Sequence, residues 1–243
     1  MTQRFSLPYL KYSVAAAGLL ALGLRLVLLQ TGVDSKGLLI TGHWADTAVW
    51  LLTAAVIGVI FFFLRGCTGP ASDAAAFPAS TVRSIGCLLA GFGFLLSPSP
   101  AISASRLALA EPILRLLAAG AMVAVGFCRF RGKRSSVLFH GTVCLYLALR
   151  MVCRYQIWSS DPQLQHYVFY LGAHVALMLS CYQLAAFDAD SGSHRGLWSW
   201  SLGAVYLCLA ALPGCDDPFF LLCGALWMFS CLSSLTPAAA EDH

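Results

Sequence analysis

The sequence predicts an all-α integral membrane protein, a single transmembrane domain of about eight helices spanning residues 1–243. Three observations carry this expectation. Charged residues make up only 11% of the chain and hydrophobic ones 59%, whereas soluble domains carry roughly 25% charged residues. The mean hydropathy is +0.76. The apolar residues also gather in long runs separated by short stretches rich in Gly, Pro, Ser and Arg, the pattern of helices that cross a bilayer.

The first run, Leu7–Leu29, follows the basic Arg4, contains Lys11 and is interrupted by Arg25 near its far end. A cleaved signal peptide competes for this stretch, but the apolar run resumes after Arg25 and no small-x-small site follows its core. The second, Asp46–Leu64, opens on a residue suited to capping and carries Trp50 at belt position. Arg65–Thr81 reads as a loop of Gly, Pro, Ser and Ala. The third run, Val82–Leu96, holds three glycines and ends at Ser97-Pro98-Ser99-Pro100, where proline lacks the donor a helix needs. It covers only about 22 Å of a roughly 30 Å hydrocarbon core.

The fourth run, Arg106–Cys128, contains Glu111, Pro112 and Arg115, and the strongly basic Arg129–Arg134 follows it. Ser136–Cys153 and Gln165–Phe187 are the fifth and sixth. Leu197–Leu212 and Phe219–Leu235 complete the set, joined by Pro213–Pro218 with its two aspartates. With the N-terminus cytoplasmic, the inner side holds nine Lys and Arg and the outer side six. The positive-inside bias therefore favours both termini in the cytoplasm.

A parallel four-plus-four repeat, with halves 1–134 and 135–243, is suggested by Leu24-Arg25-Leu26-Val27 beside Leu149-Arg150-Met151-Val152. Val49-Trp50-x-Leu52 likewise resembles Val168-Phe169-x-Leu171.

Chemistry-bearing residues crowd into Cys144–Phe187 and its surroundings. Arg150 and Arg154 share one face of the last turn of the fifth span, Trp158 follows, and Asp161-Pro162 reads as an N-cap with proline at the first helical position. With Arg25, Glu111 and Arg115 they fall in the outer half of the expected threading, and His174 lies mid-span. One reading is an outward-facing pocket for an anionic group, since guanidinium binds carboxylate and phosphate bidentately. The other is that Arg150 and Arg154 snorkel to headgroups within an aromatic belt. Glu111 and Arg115 are four apart and are expected to pair. His174 is expected to make an interhelical hydrogen bond.

No two histidines have ligand spacing and no C-x-x-C occurs among ten cysteines, so neither metal nor cofactor is expected. Cysteines within apolar runs read as small hydrophobes, with Cys215 beside Asp216 as the exception. The net charge of +4 is too small and too dispersed to indicate nucleic acid. No G-x-S-x-G, H-E-x-x-H or Walker loop is present.

The stretch Leu147–Phe187, with its arginines, Trp158-Ser159-Ser160-Asp161-Pro162-Gln163, Tyr167-x-Phe169, Tyr182 and Ala185-Ala186-Phe187, resembles a family of small polytopic membrane proteins. These come from anaerobic Gram-positive bacteria, and an R-x-W-S-x-D-P-Q motif lies between two of their membrane helices. The resemblance implies a bacterial cytoplasmic membrane and eight spans, and supplies no catalytic residues. The leading expectation is binding or transport of a small anionic or amphiphilic molecule from the outer-leaflet side, with membrane lipids as partners. A non-catalytic scaffold or regulatory subunit, packing on partner helices or on a second copy, is the alternative. A membrane-embedded transferase or hydrolase comes third.

Overall fold

The computed structural model describes residues 7–32, 40, 42–65, 67, 69, 72–78, 80–98, 106–158 and 167–236. Within them lie eight long helices and one short one, with no strand. They are α1 (Leu7–Thr31), α2 (Trp44–Phe63), α3 (Asp73–Ala76), α4 (Thr81–Leu96), α5 (Arg106–Phe130), α6 (Val137–Trp158), α7 (Val168–Asp188), α8 (His194–Ala211) and α9 (Pro218–Ser234). All but α3 coincide with an expected span. Helices α1, α2, α5, α6 and α7 are long and apolar enough to cross a membrane. The apolar α4 and α9 are shorter, at 16 and 17 residues, about 24–26 Å of rise.

Local chemistry sets several helix starts. The His43 ring accepts from Ala45 N at 3.3 Å and caps α2, so Asp46 lies in the first turn rather than at the cap, where its charge still suits the helix dipole. Ser193 caps α8 through Gly196 N at 3.2 Å. Asp217 caps α9 through Phe220 N at 3.3 Å, with Pro218 at the first helical position. The described part of α7 begins at Val168 instead of beside Asp161-Pro162, and Asp161 lies outside the described residues. Arg65–Thr81, expected to be loop throughout, contains the one-turn α3.

Helices α4 to α9 form a ring in chain order, each packed on the next, with α9 closing back on α4. Helix α1 packs on the outside of α8, and α2 packs on α1 and α8. The close approach of α4 to both its neighbours rests on glycine. A Cβ on Gly86 would lie 1.8 Å from Ser230 Oγ of α9, and one on Gly91 3.1 Å from the Ala119 carbonyl oxygen of α5.

The long helices alternate in direction. Lys11 near the start of α1 meets Ser233 near the end of α9, and Thr31 at the end of α1 meets His43 before α2. The first turn of α4 and the last of α5 meet through Arg83, Arg129 and Asp73. The start of α5, the end of α6 and the start of α9 meet through Glu111, Arg150 and Asp217. The ring therefore has two ends, here named for Arg129 and Arg150, and the described chain begins and finishes at the Arg129 end. Between them the interior is filled by aromatics. Phe94 lies 5.2 Å from Tyr146, 5.7 Å from Phe220 and 6.4 Å from Trp227, centroid to centroid.

Candidate functional site

Each end of the ring carries a buried cluster of charge. At the Arg150 end, Arg150 is fully buried on α6. It donates to Glu111 of α5 at 3.2 Å, to the Tyr146 hydroxyl one turn back at 3.2 Å, and to Asp217 at the start of α9. The guanidinium also stands 4.8 Å above the Phe220 ring. Asp217 in turn accepts from the Ser97 hydroxyl just past the end of α4. Arg154 pairs with Asp216 at 2.9 Å. Three arginines (115, 150 and 154) and three carboxylates (111, 216 and 217) thus balance in formal charge across α4, α5, α6 and α9.

This arrangement corrects the expected pairing of Glu111 with Arg115. The helix spacing allows that pair, but Arg115 donates to the Ser97 carbonyl oxygen while Glu111 turns inward to Arg150. Snorkelling is excluded as well, because Arg150 and Arg154 are 0% and 5% exposed. Arg25 stands apart from the cluster. It donates to the Ala210 carbonyl oxygen at 3.0 Å and lies 4.9 Å over the Phe169 ring, a cation at the carbonyl end of α8 where the dipole favours it.

His174 holds the Tyr170 carbonyl oxygen of its own helix through Nδ1 at 3.0 Å. Since a carbonyl only accepts, Nδ1 carries the proton. Its link to another helix is a stacked contact with Phe220 at 5.0 Å, not the expected interhelical hydrogen bond. Trp158 closes α6, and Asp161 lies outside the described residues. Asp217, Tyr146 and Ser97 were not among the expected site residues. Asp217-Pro218 carries the same cap-then-proline signature as Asp161-Pro162, and that signature could have found it.

The second cluster, at the Arg129 end, has no counterpart among the expected site residues. Asp73 of α3 pairs with Arg83 of α4 at 3.1 Å and with Arg129 of α5. Arg129 also donates to Asp188 at the end of α7 at 2.5 Å and to Ser135 at 2.9 Å. His140 of α6 donates through Nδ1 to Asp188 at 2.6 Å. The Arg83 guanidinium lies 3.7 Å from the Phe77 ring centroid.

Beside this chain of charges opens a cavity of about 170 Å³, lined by Asp73, Phe77, Arg83, Arg129, Lys133 and Arg134 among others. Four cations and one carboxylate line it; Asp188 and Asp190 lie outside the lining, on Arg129 and Arg134. Among the described residues, Nε and Nη2 of Arg83 and Nε of Arg129 are buried without an acceptor, a costly state for a guanidinium donor.

No group of three or more His, Cys, Asp and Glu residues suited to a metal ion occurs among the described residues. All ten cysteines are free. The Cys215 thiol, in the turn before α9, is pushed above its ordinary range by burial. Comparison with protein-family models, curated proteins and solved structures found no match. The motif of the bacterial membrane family is also only partly present, since three residues rather than one separate Arg154 from Trp158.

Proposed function

We propose that this is a membrane protein that binds a small anionic group, a phosphate or carboxylate carried by an amphiphile or by a free anion, in the cavity at the Arg129 end. The observation that carries the reading is a cavity lined by Arg83, Arg129, Lys133 and Arg134 in which buried guanidinium N–H groups lack acceptors. Planar guanidinium forks suit tetrahedral and carboxylate oxygens better than point charges do. Asp73 already places one carboxylate between the two buried arginines, so it serves as an internal stand-in for part of the ligand. The ligand class is the one the arginines near residue 150 suggest. At both ends the buried arginines are partly engaged by carboxylates of the chain itself, and the Arg129 end is favoured because the cavity opens there. The bias of Lys and Arg makes the Arg129 end the cytoplasmic one in this reading, with the protein in a bacterial cytoplasmic membrane.

The test is thermal stability of the purified protein in neutral detergent as inorganic phosphate or a short-chain anionic lipid is added. A ligand that binds the folded form alone raises stability by mass action. Wild type should be stabilised by at least one of the two. Lys133→Ala, at the exposed rim, should weaken the effect, and Arg83→Lys should weaken it further by removing the fork. Phosphate that stabilises without the lipid marks a free anion, whereas a response to lipid alone marks a headgroup. Equal stabilisation of all three proteins would remove the cavity as the site.

A further inference from the structure

On the outer face of the ring, α4 and α9 leave a groove of about 250 Å³. Ile85 and Leu89 form one wall, Leu226 and Phe229 the other, and Gly86 lies against Ser230 on the floor. Gly86 contributes no side chain, so the floor stays low. Ser230 turns its hydroxyl to the Trp227 carbonyl oxygen at 2.7 Å, so its one O–H is already used within α9. The groove therefore offers hydrocarbon. Val82, Ile85 and Leu226 are about half exposed, on helices apolar enough to face a bilayer.

One cation stands beside the groove. Lys11 of α1 donates to the Ser233 hydroxyl at 3.2 Å, and Ser233 is itself a lining residue. The Lys11 ammonium is also held 5.1 Å from the Tyr12 ring and 5.9 Å from the Phe229 ring. It has three N–H donors, one of them given to Ser233, and no carboxylate of the described residues lies within ion-pair distance. Arg83, the nearest cation along α4, is turned into the ring toward Asp73. An apolar channel thus runs up to an ammonium near the helix ends.

We infer that the α4–α9 groove binds a phospholipid with an anionic headgroup, one acyl chain lying along Ile85, Leu89 and Leu226 and the headgroup accepting from Lys11. The site uses neither Arg129 nor Lys133, so it stands independently of the cavity proposed above. An ammonium at the membrane surface favours an anionic lipid roughly fivefold.

The experiment measures binding of phosphatidylglycerol and phosphatidylcholine to the full chain by native mass spectrometry from detergent. Four proteins are compared: wild type, Lys11→Gln, Leu89→Trp and Lys133→Ala. Wild type should prefer phosphatidylglycerol by about fivefold. Lys11→Gln should lose that preference while retaining phosphatidylcholine. Leu89→Trp, on an exposed wall where bulk does not disturb the ring, should reduce both by filling the groove. Lys133→Ala should keep the wild-type preference. No preference in wild type, or an unchanged one in Lys11→Gln, overturns the inference. So does a dimer that Leu89→Trp dissociates without altering lipid binding, which would make the groove a seat for a second copy.

Discussion

At the scale of single residues, Arg150 is the group whose loss should cost most. Removing one member of a buried ion pair leaves the others uncompensated, at about 3–5 kcal/mol. Arg150→Ala strands Glu111 and Asp217 together and should lower thermal stability by about that amount. Arg115→Ala breaks a contact to a backbone oxygen at a half-buried site and should cost clearly less; equal losses would show that the centre is not organised around Arg150. Cys215 gives a second prediction. Its raised pKa lowers the thiolate fraction at neutral pH, so alkylation at this site should be slow at pH 7 and continue to accelerate above the usual thiol range near about 8.5. A rate that levels off by pH 8.5 would contradict the burial of this thiol. The sequence exposed Glu111, Arg115, Arg150 and Arg154 because charge within apolar runs is conspicuous. It hid their partners, since helix periodicity says which residues share a face of one helix and nothing about which helices face each other.

At the scale of elements, α4 is the tightest fit, and its glycines are where the fit is decided. Gly86→Ala places a methyl group against Ser230, where overpacking typically costs about 1–3 kcal/mol. Ser230→Gly should restore much of that loss when combined with it, since the remaining neighbour, the Trp227 Cα, lies at an ordinary 3.4 Å. Folded yield and melting temperature of the two single variants and the double variant check this, and strictly additive losses would argue against the contact. The boundaries of α4, α8 and α9 fall within a few residues of the sequence expectation because hydropathy and proline mark them directly, whereas α6 runs past the expected Cys153 to Trp158, through part of the expected turn. Helix α3 was illegible. It is one turn long, and Asp73 is held by two arginines from other helices rather than by any local signal.

At the scale of the whole molecule, alternation of the long helices puts Ser136 and Ser191 at the Arg129 end and Cys215 at the other. In a background with the remaining cysteines replaced, an impermeant thiol reagent should label Ser136→Cys and Ser191→Cys from one side of the membrane and Cys215 from the opposite side. All three labelled from the same side would break the eight-span arrangement. The number and alternation of the long helices could be read from the sequence, but the ring closing α9 onto α4 could not, since apolar surfaces share one alphabet of residues. That closure bears on the order of synthesis. Two of the three carboxylates at the Arg150 end, Asp216 and Asp217, reside just before α9, so a nascent chain already holding α4 through α8 carries Arg115, Arg150 and Arg154 with Glu111 alone. The last helix to emerge brings both the missing countercharge and the surface that α4 requires. A chain that ends before residue 216 therefore leaves an open circle with three arginines and one carboxylate at that end, and quality-control proteases should clear that product faster than the finished chain.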